Sequence, residues 1–184
     1  MAILNGARKF LGIAALAAFA LAPGAPAAAS VEYSVKAAYL VKLGMFVQWP
    51  KASFETMQSP VVLCVVGTDP FGDLLDKMAE GQRVGDRAVV VRRMKTVGRN
   101  SGCEILFAGG SDEQSVGQAI AAVSGTGVVT VTDNARDDGS DAIVDFVVQE
   151  GRVRFTIDDR AAAQNGIVVS SHLLGLALSV KPRA

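Results

Sequence analysis

Histidine occurs once and cysteine twice in 184 residues, and that scarcity removes most metal and nucleophile chemistry at the outset. A zinc site gathers four soft or imidazole donors at short spacing, whereas His172, Cys64 and Cys103 stand far apart in the chain. A serine hydrolase would need His172 beside a serine and a carboxylate. No Gly-x-Ser-x-Gly elbow is present, and Ser170 and Ser171 read as caps of a following helix. The glycine-rich stretches 67–72 and 81–85 fit neither the phosphate-loop nor the dinucleotide pattern and read as turns. An excess of one charge is missing as well: 18 basic residues face 18 acidic ones. That balance argues against a nucleic-acid binder or a polybasic membrane-surface protein. What remains is a domain without a catalytic residue, metal or cofactor, suited to binding or regulation and not to enzymatic work.

The chain also lacks an apolar run of the roughly 20 residues a membrane span requires. It does have a shorter one at its start. Arg8 and Lys9 precede an uncharged stretch from Phe10 to Leu21, which Pro23, Gly24 and Pro26 break before Ala27, Ala28 and Ala29. A positive start, a short apolar middle and a small-residue exit form a secretory signal peptide over residues 1–29, cleaved after Ala29. Residues 30–184 are then an exported domain carrying 16 basic and 18 acidic residues, because two of the basic residues lie in the leader. No cysteine follows the exit for lipid attachment. The two cysteines of an exported chain are most simply a disulfide, the alternative being two buried thiols. Each sits at or inside a β-like run, and a bridge requires their Cα atoms within about 7 Å.

Apolar periodicity predicts a helix from Val31 to Trp49, with Val35, Ala38, Tyr39, Lys42, Met45, Phe46 and Trp49 on its mostly apolar face and Pro50 as its stop. Strands are expected over 61–66, 87–93, 103–107, 127–132 and 167–169. A hairpin joins 142–148 to 152–157 through Gln149-Glu150-Gly151. Helices are expected around Leu74, Leu75 and Met78, and from Val116 to Val123 with Ser111 and Gln114 as a capping box. Two more are expected, one over 161–164 capped by Asp158 or Asp159, and a last one from Leu173 through Val180 capped by Ser170 or Ser171. Alternating strands and helices with one hairpin give an α/β class: a single-domain α/β/α layered fold around a mixed β-sheet. Aligning Gly139 with a calcium-loop glycine would make ligands of Asn134, Arg136, Asp138 and Asp145, and the arginine argues for a solvated turn instead.

Three stretches taken in order resemble a known family. They are Lys36-Ala-Ala-Tyr-Leu-Val-Lys-Leu-Gly-Met-Phe-Val-Gln-Trp-Pro50, then Leu63-Cys-Val-Val-Gly-Thr-Asp-Pro-Phe-Gly72, and finally Val153-Arg-Phe-Thr-Ile157 through Ala161-Ala162 to Ser170-Ser-His-Leu-Leu174. Following a leader, this set is similar to the YfiR-like family of small periplasmic proteins. The resemblance implies a repressor that binds the periplasmic sensory domain of an inner-membrane diguanylate cyclase and lowers cyclic di-GMP. It also implies an outer-membrane lipoprotein that sequesters the repressor, and a homodimer. Cys64 and Cys103 match the family's bridge-forming positions, while the second, C-terminal cysteine pair of some relatives is absent. The partner surface is expected at the end of the first helix (Phe46, Trp49) and between Asp158 and His172, with Ser171. The rival from another class is a periplasmic module for a small apolar or aromatic ligand, with Trp49 or Phe71 lining the pocket.

Overall fold

A computed structural model describes residues 27–133 and 141–183. The leader up to residue 26 and the calcium-loop positions Asn134, Arg136 and Asp138 lie outside these described residues, while Ala27 to Ala29 form the first turn of helix α1 (Ala27–Leu43). Among the described residues no helix is long and apolar enough to cross a membrane.

The centre of the fold is strand β2 (Val61–Gly67), an unbroken apolar run buried along six of its seven positions. Period-two alternation sends Val61, Leu63 and Val65 to one face and Val62, Cys64 and Val66 to the other, and each set joins a different core cluster. A strand buried on both faces implies layers on both sides, and these are present. Helix α1 and helix α2 (Asp73–Ala79) cover one face through Leu40, Val41 and Leu75; helix α3 (Val116–Ala122) covers the other through Ala119 and Ile120.

Around β2 run β4 (Arg87–Met94), β5 (Ile105–Gly110), β6 (Val129–Asp133) and β7 (Val144–Gln149), each parallel to its neighbour. Strand β8 (Arg152–Asp158) returns antiparallel to β7 through the expected hairpin, where Glu150 and Gly151 both take positive φ. Short β3 (Arg83–Val84) and β10 (Ser179–Lys181) close the two ends, giving an eight-stranded mixed sheet in the order β10-β8-β7-β6-β5-β2-β4-β3. A separate pair joins β1 (Val47–Gln48) to β9 (Val168–Val169). Two further helices, α4 (Asp159–Gln164) and α5 (Ser171–Leu176), flank β9. The α/β class with helices layered on a mixed sheet is therefore what the chain adopts.

Several local expectations are corrected. The first helix stops at Leu43, not Trp49: Gly44–Phe46 tighten into a 3-10 turn, and Val47 and Gln48 become β1; Gly44 sits where a Cβ would lie 2.8 Å from Val84 and 3.0 Å from the Trp49 ring. The residue face assigned to its core is also rotated. Ala37, Leu40 and Val41 are buried, whereas Val35 and Tyr39 are each 38% exposed and Met45 53%. The cap of α3 is Ser115 with Gln118, which exchange reciprocal hydrogen bonds. Gln114 instead grips both the N–H and C=O of Val97, at 2.8 and 2.9 Å, tying the 95–103 connection to the helix entry. The last helix ends at Leu176, and Val180 sits in β10, paired with Ile157. Strand β3 escaped the periodicity because two residues carry no period.

Candidate partner-binding surface

Helix α1 carries apolar residues on more than one side, so burying Ala37, Leu40 and Val41 leaves Val31, Val35 and Tyr39 exposed as a second apolar stripe. Within that stripe Tyr39 lies over the sheet, its ring 5.5 Å from Phe155 and 6.1 Å from Phe146. Beyond the Gly44–Phe46 turn, β1 pairs with β9, and the Ser170 N–H donates to the Phe46 carbonyl at 2.9 Å. The Ser170 hydroxyl accepts from the Leu173 N–H at 3.2 Å and so starts α5 at this point. These two bonds set the position of the only histidine. His172 stacks on Phe46 with ring centroids 5.8 Å apart and planes 23° apart, and it remains exposed.

Between the two segments lies a cavity of about 180 Å³, walled by Tyr39, Leu43, Phe46, Phe146, Phe155, Leu173 and Leu176, with Lys42 among its lining residues. Exposed Met45 stands next to Phe46 in the turn, and Leu176 is 48% exposed. The arrangement is an apolar hollow with aromatic walls and a cation, which offers van der Waals contact and desolvation but no nucleophile or acid–base pair.

Phe46, Ser171 and His172 thus share one patch, with Ser171 exposed at the start of α5. The other two anticipated residues hold internal structure. Trp49 packs edge-on against Phe54 and donates its indole N–H to the Glu104 carbonyl at 3.2 Å. Asp158 caps α4 by accepting from the Ala161 N–H at 2.8 Å, and it pairs with Lys181 at 2.6 Å. Burial pushes its carboxyl up, but the Lys181 and Ala161 hydrogen bonds outweigh that and hold it below the usual aspartate value. Nor does Phe71 line this hollow: it is buried against Phe107 and Tyr33. Tyr39, Phe146 and Phe155 could have been suspected only as inward-facing strand and helix aromatics; their convergence needs the tertiary fold.

The sequence profile of the YfiR/HmsC-like family matches residues 33–178, from the first turns of α1 to the residue before β10. The chain belongs to the YfiR/HmsC-like family. A search of curated proteins gives no match. In this YfiR/HmsC-like domain Cys64 and Cys103 are joined by a disulfide, with Cα atoms 5.8 Å apart, packed in the core cluster beneath α3. The bridge therefore lies on the opposite side of the sheet from the α1–α5 patch. A second feature of this YfiR/HmsC-like chain, invisible to periodicity, is Lys36. Its side chain is wholly buried, its ammonium 2.6 Å from Asp133 and paired also with Glu32 one helical turn back. Burial disfavours its charge, yet the hydrogen bonds to Asp133 and Glu32 hold its pKa above the ordinary lysine value. The Glu32–Lys36 spacing was the available sequence signal.

Proposed function

We propose that this protein is an exported, periplasmic regulator that binds the periplasmic sensory domain of an inner-membrane diguanylate cyclase and holds the enzyme inactive, lowering cyclic di-GMP. The observation that carries the reading is the family match across residues 33–178, together with a leader-like N-terminus. The α1–α5 patch supplies a physical means: an apolar hollow beside exposed Met45, His172 and Leu176 suits a single apolar anchor from a partner. Repression requires tighter binding to the inactive than to the active conformation of the cyclase, since equal affinity shifts no population. Sequestration by an outer-membrane lipoprotein would then release the enzyme, and a homodimer would be the free form. No catalytic role is assigned to the chain.

The test is cellular cyclic di-GMP in a parent strain, a deletion, and the deletion complemented with exported or leaderless protein. A rise on deletion, reversed only by the exported form, supports repression. Unchanged levels across growth conditions overturn it. The same cavity of about 180 Å³ favours one alternative, a small apolar ligand held among Tyr39, Phe46 and Phe155. A rise in melting temperature with an indole or other small aromatic, lost on Phe155→Ala, would mark that second role.

A further inference from the structure

The end of the sheet away from the α1–α5 patch is only partly closed. Strand β3 pairs with β4 through Arg83–Ala88 and Val84–Arg87, and the Val89 N–H donates to the Gln82 carbonyl at 3.0 Å. There the cover stops, while β4 continues along β2 as far as Met94. Because the Val89 N–H points outward, strand alternation turns the N–H and C=O of Val91 and Arg93 outward as well. Among the described residues no strand pairs with them. An open edge of this kind is a template for another strand.

Charge and shape say which kind. Residues 83–99 hold six basic residues (Arg83, Arg87, Arg92, Arg93, Lys95, Arg99) against one acidic residue, Asp86, in a chain whose overall charge is zero. Arg93 is engaged by Asp69 and Asp76, Arg87 lies over the Phe54 ring, and Lys95 is 3.9 Å from Glu113; exposed Arg92 donates to the Ser101 carbonyl and has no carboxylate partner among the described residues. Where β3 leaves β4, a groove of about 290 Å³ opens, with Ala79, Val89 and Val91 as its aliphatic lining and Asp76, Glu80 and Arg83 as its charged lining. A strand laid along β4 would face Arg92 with one set of alternate side chains and this groove with the other.

We infer that the β4 edge docks an extended segment of another protein in which acidic and apolar residues alternate. The acidic set meets Arg92 on one face, the apolar set enters the groove on the other, and the main chain bonds to Val91 and Arg93. This surface is separate from the α1–α5 patch and stands or falls independently of the cyclase reading.

The test uses a fluorescein-labelled Val-Glu-Val-Glu-Val-Glu peptide and the purified protein, read by fluorescence anisotropy. Saturable binding is expected, with Arg92→Glu weakening it about tenfold and Arg152→Glu, at the far hairpin, leaving it unchanged. N-methylation separates strand addition from mere charge attraction. Blocking one alternate set of peptide N–H groups should abolish binding, and blocking the other should not. Equal effects of the two sets, equal binding of a Val-Lys-Val-Lys-Val-Lys peptide, or no binding would overturn the inference. So would peptide binding that merely competes with self-association of the protein through this edge, since the occupant would then be a second copy.

Discussion

Lys36 and Asp133 form an ion pair at 2.6 Å in which the lysine side chain has no exposure to solvent, joining the middle of α1 to the end of β6. Removing Lys36 takes the ammonium away from both Glu32 and Asp133. Lys36→Ala should therefore destabilise the fold by about 3–5 kcal/mol at neutral pH, as read from urea unfolding. Since the folded pKa lies above the ordinary lysine value, the contribution is complete below that ordinary value and disappears as pH rises through the folded one. The gap between wild type and variant should be flat through neutrality and narrow in strong alkali.

The Cys64–Cys103 bridge closes a loop with a sequence separation of 39 residues. Chain-entropy arguments put its stabilisation at about 4 kcal/mol. The double variant Cys64→Ser, Cys103→Ser should melt at a lower temperature by a margin that reductant reproduces in wild type. Because the bridge and the α1–α5 patch lie on opposite sides of the sheet, variant that remains folded should still repress. An unchanged melting temperature would contradict the structural role.

Substitutions on the patch should separate binding from folding. Met45→Asp places a charge on an exposed apolar position, and His172→Ala removes the ring stacked on Phe46. Each should leave thermal stability within about 0.5 kcal/mol and derepress the cyclase in cells. Trp49→Ala should do the reverse at the bench, lowering stability by about 3 kcal/mol through lost packing.

Backbone approach sets a further prediction. A Cβ on Gly109 would sit 1.9 Å from the Thr68 carbonyl oxygen, so Gly109→Ala must push the ends of β2 and β5 apart and should sharply reduce the yield of folded protein. At the β7–β8 hairpin the relation is inverted. Glu150 adopts φ 52°, a region that suits glycine or asparagine, and Glu150→Gly should gain a fraction of about 1 kcal/mol in thermal unfolding.

The central strands were legible because each is a continuous β-branched run between turn residues, as in 61–66. The hairpin was legible because Glu150-Gly151 separates two alternating segments. The face of α1 was not, because Val35 and Tyr39 are as apolar as Ala37 and Leu40. The sides differ in what they meet, Ala37 and Leu40 being buried in the core and Val35 and Tyr39 part-exposed, which only the tertiary fold decides. The same ambiguity hid the hollow, whose walls come from α1, two strands and α5. Short elements such as β3 and β10 owe their existence to a neighbouring strand and have no signal of their own.

The β1–β9 pair links residues 47 and 169, so the surface proposed for repression is assembled from chain segments synthesised far apart. A polypeptide still being synthesised has delivered Phe46 but not His172. Such a chain cannot display the complete patch, and neither can one clipped before α5. The patch is in this way conditional on a product that includes both segments and has finished folding, so on the proposed reading fragments released by proteolysis would not repress.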